Sequence, residues 1–172
     1  LGDWVAVTGN SGSGKTSLLN CILGFKKPTS GSVFVNSKER QNLLSFREII
    51  GYVPQKPIIF TGTLKENIII NKIDKKSENI AVKLINDFKM LGKFKNLNFK
   101  IKDNGENLSG GQLQRIAIIR ALMRKPKILI LDEATSAMDT KTQSNVLKNI
   151  KKHLPNSLII KITHRLEILN YF

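Results

Sequence analysis

Apolar and polar positions along this chain fall into two rhythms. Short apolar runs end abruptly in Gly, Pro or acidic residues, and between them lie stretches with apolar residues at helical spacing. "WVAVTG" is a β-rich run stopped by glycine. "KTSLLNCILGF" follows at helical period and closes at Gly24. "KKPTSGSVFVNS" reads as a turn and then a strand over 33–35, and "EIIGYVPQKP" as a strand over 49–53 stopped by Pro54 and Pro57. From Thr63 to Lys102 the pattern is mostly helical and polar, as expected of an inserted helical subdomain. Residues 107–122, "NLSGGQLQRIAIIRAL", place a small, polar Ser-Gly-Gly-Gln hinge before an amphipathic helix. "KPKILILDEA" holds four apolar residues, 128–131, followed by two acids, a pattern that suits a strand buried on both faces of a parallel sheet. "KTQSNVLKNIKKHL" is amphipathic helix, and "SLIIKITHR" a further buried strand. Strands alternating with helices predict an α/β fold around a parallel core. Residues 1–62 and 126–172 are expected to form that core, and 63–125 the helical subdomain.

Composition narrows this picture only a little. With 172 residues, 41% apolar and 24% charged, the chain can bury one real core. No apolar run reaches spanning length, and "LGDWVAVTGN" reads as a strand rather than a signal peptide. The expectation is that the chain begins inside a fold, as a fragment lacking the N-terminal strands. Cys21 sits among apolar residues, which predicts a buried, inert thiol and no internal disulfide. The formal charge of +15 admits nucleic acid, an anionic membrane surface or a nucleotide as partner. The lysines are scattered rather than blocked, so a solvated surface accounts for most of them.

Candidate chemistry changes the picture far more. "GNSGSGKT" (Gly9, Asn10, Ser11, Gly12, Ser13, Gly14, Lys15, Thr16) fits G-x-x-x-x-G-K-[ST] at every fixed position, between a predicted strand and a predicted helix. Its glycines let the backbone wrap a polyphosphate, and its N–H groups and the helix start face the anion. Lys15 can reach the β- and γ-phosphates, and the Thr16 hydroxyl can ligate Mg²⁺, with Ser17 beside it. "ILILDE" brings Asp132 to the end of a buried strand, where parallel sheets place their ligands. A carboxylate there can hold Mg²⁺ through water. Glu133 can polarise a water for attack on a γ-phosphate. Taken alone, two acids after a strand would be read as favouring a helix N-terminus. Together the two motifs mean ATP or GTP hydrolysis or transfer.

The residues then resemble one family. "LSGGQ" at 108–112, between the phosphate loop and "ILILDE", is similar to the signature of ATP-binding cassette (ABC) ATPases. Gln55 in "YVPQKP", "SAMD" at 136–139 and His164 in "ITHR" match the family's Q-loop, D-loop and switch histidine in order. The resemblance implies a P-loop NTPase (RecA-like) core with an inserted helical subdomain that carries the signature. It implies ATP and Mg²⁺ as ligands, and a second ABC ATPase domain as partner in a head-to-tail dimer. Ser109, Gly110, Gly111 and Gln112 would then face the ATP of the other subunit. Gln55 is implied as a Mg²⁺ and water contact, His164 as a γ-phosphate contact and Asp139 as an interface residue. Arg115 and Arg120 are expected to pack and pair within the signature helix, and His153 to be exposed. "VPQKPIIFTGTLKENI", through Phe60, Gly62, Thr63, Asn67 and Ile68, resembles the exporter type. That implies a transmembrane domain on the same full-length chain, at the cytoplasmic face of the inner membrane, with no nucleic acid partner.

Three departures stand out. The adenine-stacking aromatic of the family lies upstream of this chain, and Trp4 does not replace it. Strands before Leu1 and a segment after Phe172 are missing from the family pattern. The stretch before the signature reads "FKIKDNGEN" where exporters have a glycine–glutamate pair, with Asp103 expected in place of that acid. The alternative is a soluble ABC-type ATPase acting on nucleic acid or ribosomes. The gap between Gln55 and Leu108 is short and lacks sustained heptads, which counts against the coiled-coil members of that class.

Overall fold

The computed structural model describes residues 2–10, 12–35, 38–39, 43–70, 72–90, 92, 94 and 96–163. Ser11 and His164, both expected site residues, lie outside them.

In chain order the elements are β1 (Trp4–Val7), α1 (Lys15–Leu23), β2 (Phe34–Val35), β3 (Lys38–Glu39), α2 (Leu43–Glu48), β4 (Ile50–Val53), β5 (Gly62–Thr63), α3 (Leu64–Ile68), α4 (Lys75–Asp87), β6 (Lys100–Ile101), α5 (Gly110–Met123), β7 (Ile128–Asp132), α6 (Thr140–His153) and β8 (Leu158–Ile162). Among the described residues β1, β8, β7 and β4 form a parallel sheet in that order. Two small antiparallel pairs, β2–β3 and β5–β6, stand apart from it. The α/β class with a parallel core is therefore observed.

Strand period explains how the sheet is clothed. Ile128 and Ile130 of β7 point to the face covered by Leu19 and Leu23 of α1 and by Phe46 of α2. Ile160 and Ile162 of β8, with Ile50 and Tyr52 of β4, join them there. Leu129 and Leu131 point the other way, onto Ile116 and Ile119 of α5 and onto Val146, Leu147 and Ile150 of α6. Each such side chain, removed from water, stabilises the fold by about 1.5–3 kcal/mol. The second apolar cluster continues without a break through α3 and α4, by way of Leu64, Ile68, Leu84 and Ile85.

Helix starts follow their caps. Thr63 with Glu66, Asp74 with Ser77, and Ser109 with Gln112 form capping boxes for α3, α4 and α5, and Asp139 caps α6. Helix α1 differs. Its N-cap is Gly14, left-handed at φ 89°, and no side chain caps it. Its C-terminus is closed by left-handed Gly24, at the predicted stop.

Several expectations are corrected. The Ser-Gly-Gly stretch is not a hinge, because Gly110 and Gly111 are the first two residues of α5 itself. The stretch 63–102 contains strand as well as helix. β5 and β6 close it as a ladder at its two ends. His153 is not exposed: its ring is only 18% accessible, and Nε2 lies 2.7 Å from Asp87 Oδ2. Cys21 is half-buried rather than buried. Arg120 does not pair within its own helix. Its Nε donates to Asn67 O at 2.6 Å, Nη1 to Ile58 O at 2.7 Å and Nη2 to Asn67 Oδ1 at 3.2 Å, and the guanidinium lies over the Phe60 ring. Arg115 does bond within the helix, Nε to Gly111 O, but also reaches Phe88 O across from α4. Burial holds both guanidinium groups below their ordinary range.

Candidate nucleotide site

A cleft of about 840 Å³ opens where β1, β4 and β7 end at the start of α1. Thr8, Gly9, Asn10, Gly12, Gly14, Lys15, Thr16 and Ser17 line one side; Gln55, Asp132, Glu133 and Ile162 line the other. Parallel strands carry their C-terminal ends to one edge of the sheet, so residues far apart in sequence meet there.

The loop after β1 is shaped for an anion. Gly9, Gly12 and Gly14 have φ of 155°, 80° and 89°. The φ of Gly9 is one that residues with a side chain rarely adopt, and a Cβ there would lie 2.8 Å from Ser13 Oγ and force that hydroxyl to turn away. At Gly12 and Gly14 nothing stands within 4 Å of the Cβ position, so it is their left-handed backbone rather than crowding that favours glycine. Lys15 Nζ folds over that loop, donating to Gly9 O at 2.9 Å and Asn10 O at 2.7 Å. The N-cap of α1, Gly14, has no side chain to cap the first-turn N–H groups, the feature that suits a phosphate.

Across the cleft, Asp132 is only 6% accessible. Burial pushes its carboxyl up, the hydrogen bond from Tyr52 pulls it down, the Glu133 charge pushes it up, and Lys15 opposes. The Tyr52 hydroxyl donates to Asp132 Oδ2 at 3.3 Å. Its own ionisation is pushed up to about 12, first by burial and then by the Asp132 charge. Glu133 adopts a left-handed backbone, φ 48°, unusual for a residue with a side chain. Gln55 Nε2 donates to Glu133 Oε2 at 2.8 Å. Gln55, expected to contact Mg²⁺ and water, and Glu133, expected to polarise a water, are thus in direct contact.

The signature turn lies elsewhere. Ser109 to Gln112 do not line this cleft. The Ser109 N–H donates to Gln112 Oε1 at 2.9 Å, and Ser109 Oγ accepts from Gln112 N. The N–H groups that start α5 without such a partner in the capping box are those of Gly110 and Gly111. Both glycines pack on the segment after Glu133. A Cβ on Gly110 would meet Ala137 Cβ at 3.2 Å, and one on Gly111 would meet Ala137 O at 3.2 Å. Asp103, the departure from the exporter pattern, accepts from Thr61 Oγ1 at 2.6 Å and so holds the stretch that follows Gln55.

Tyr52 was absent from the expected site. Local sequence does not mark it: in "IIGYVPQ" it falls on the same strand face as Ile50, and only the pairing of β4 with β7 brings its hydroxyl to Asp132. Gln114 was also absent, although its burial within a charged and polar helix start marks it out.

A parallel α/β sheet with a phosphate loop at one strand end and two acids at another defines a P-loop nucleoside-triphosphate-binding protein. The chain matches the ABC transporter family over residues 1–136, and it belongs to that family. It is 42% identical over 168 residues to a Rickettsia typhi protein described as an export ATP-binding/permease protein, covering 95% of this chain and 29% of that protein. It is 40% identical over 168 residues to the ATP-binding/permease protein CydD of the Haemophilus influenzae glutathione/L-cysteine transport system, covering 96% and 28%. Among solved structures, that of a bacterial Atm1-family ABC exporter with ATP bound superposes with a TM-score of 0.87 at 30% identity. It covers 96% of this chain and 30% of that one. The chain thus spans under a third of the length of these relatives. No described helix is long and apolar enough to cross a membrane.

Proposed function

We propose that this chain is the ATP-hydrolysing domain of an ABC exporter, working at the cytoplasmic face of a membrane on a transmembrane domain of the same full-length protein. The observation that carries the proposal is the convergence of Lys15, Thr16, Gln55, Asp132 and Glu133 on one cleft. The names of the relatives, which join ATP-binding to permease, favour this reading over the soluble alternative.

Gly9, Asn10, Gly12, Ser13 and Gly14, with Ser11, cradle the triphosphate of ATP through backbone N–H groups, and Lys15 neutralises it. Thr16, Asp132 and Gln55 fit a divalent cation of the Mg²⁺ type, because hydroxyl, carboxylate and amide oxygens are hard donors. Mg²⁺ bound there neutralises charge on the β- and γ-phosphates. Gln55 presents its N–H to Glu133, which leaves its amide oxygen as the atom to turn toward the cation. Glu133 accepts a proton from, or orients, the attacking water, and the Tyr52 hydroxyl holds Asp132 in place. His164 is proposed to contact the γ-phosphate. Ser109, Gly110, Gly111 and Gln112 serve the ATP of a second ABC domain in a head-to-tail dimer.

The test is Glu133→Gln. It should retain ATP binding, lose hydrolysis by at least about 100-fold, and accumulate an ATP-bound dimer in sedimentation. Turnover within a few-fold of the parent would remove Glu133 from its role.

A further inference from the structure

Gln114 lies in the second turn of α5 and is 4% accessible. Both ends of its amide are used. Nε2 donates to Ser136 Oγ at 3.2 Å, and Oε1 accepts from the Ala137 N–H at 3.1 Å. The segment it grips begins at Glu133, since Ser136 N donates to Glu133 O at 3.0 Å. It ends at Asp139, whose Oδ1 caps α6 by accepting from Thr142 N at 2.9 Å. The same segment lies close to Gly110 and Gly111, where a Cβ would meet Ala137 at 3.2 Å and push it back by a few tenths of an ångström.

We infer that Gln114 is a positioning residue that locks the signature turn to the segment 133–139. This rests on the function proposed above. Under that reading Glu133 serves the chain's own ATP, while the start of α5 serves the partner's. A short path joins them: Glu133 O to Ser136 N, Ser136 Oγ to Gln114 Nε2, and Gln114 to the first turn of its own helix. A buried amide bonded at both ends resists sliding in either direction, because any shift leaves a buried polar group unpaired. The turn offered to the partner is therefore held in register with the chain's own catalytic acid.

The experiment uses the full chain carrying Glu133→Gln, so that ATP is not consumed. Sedimentation gives the dissociation constant of the ATP-bound dimer, and the fluorescent analogue TNP-ATP reports binding to the monomer's own cleft. Adding Gln114→Leu, which keeps the volume and removes the amide, should weaken the dimer about tenfold, the loss of the two hydrogen bonds this buried amide makes to Ser136 and Ala137. TNP-ATP affinity should stay within about twofold, a split that general loosening of the fold would not produce. Ser136→Ala should weaken the dimer less, and adding it to Gln114→Leu should cost nothing further. A dimer as tight with Gln114→Leu as without it overturns the inference, and so do losses that simply add. Should Gln114→Leu fail to fold, Ser136→Ala decides: an unchanged dimer constant overturns the inference. Should the Glu133→Gln parent form no dimer with ATP, the proposed function falls, and this inference falls with it.

Discussion

Replacing Arg120 by methionine should unfasten the stretch that follows Gln55 from α5. The guanidinium donates three hydrogen bonds, two of them to Asn67, which is fully buried. Asn67 O belongs to the last turn of α3, where a helix leaves its carbonyls without internal partners. Stranding that acceptor costs about 1–3 kcal/mol. Asn67 Oδ1 still accepts from Phe60 N, so the loss there is smaller. Losing the cation over the Phe60 ring adds about 0.5–1 kcal/mol. Methionine preserves most of the stem's packing, so the sum comes to about 3 kcal/mol. In urea that lowers the midpoint by about 1–2 M. In a chain of 172 residues it lowers Tm by roughly 6–12 °C. Arg120→Lys should recover only part, because a single ammonium cannot reproduce the fork. The assay is equilibrium urea unfolding followed by circular dichroism. A methionine variant within about 0.5 kcal/mol of the parent, the range of an ordinary surface change, would refute the reasoning. Full recovery with lysine would refute the part that rests on fork geometry.

Asp132→Asn should abolish hydrolysis yet raise the urea midpoint at pH 7. Burial places the folded carboxyl above its unfolded range, so its contribution is present at low pH and is lost as pH rises through the folded value. The gain should vanish below about pH 4, and a less stable variant at pH 7 would contradict it. Glu66, Asp74 and Asp139 titrate in the opposite sense. The Thr63 N–H holds Glu66 below the usual carboxylate range, the Ser77 N–H does so for Asp74, and the Thr142 side chain and N–H do so for Asp139. Their stabilisation is complete above about pH 4–5 and is lost as pH falls through the depressed values. Asp74→Asn keeps a cap without the charge, so its urea midpoint should fall less steeply between pH 5 and pH 3; an unchanged slope would speak against the cap carboxylate.

What sequence reveals about this fold is what short range dictates. Gly24 stops α1 because a left-handed residue ends a helix cheaply, and "ILIL" is a strand buried on both faces because nothing polar interrupts it. The phosphate loop is legible for the same reason, since its glycines, lysine and threonine act within one turn of chain. The contacts that local sequence does not dictate are those closed over distance. Arg120 meets Ile58, His153 meets Asp87, and β5 meets β6 across the intervening helices. Helix α2, six residues of "LLSFRE", is too short for periodicity to declare. Tyr52 looked like strand filler until β7 stood beside β4 and brought Asp132 to its hydroxyl. The glycines at 110 and 111, expected in a hinge that permits close backbone approach, are helical in the fold, and the approach seen there is to Ala137 of the same chain.

That last feature bears on how such chains age under mutation. Gly110 and Gly111 are pressed against Ala137 inside their own subunit, whatever stands opposite them in a partner. A cassette that lost Glu133, the proposed catalytic carboxylate, would be relieved of one reason to keep these glycines but not of the other. "SGG" would then be expected to outlast Glu133 in descendants that no longer turn over nucleotide. In a lineage of such proteins the durable letters record packing, and the perishable ones record chemistry.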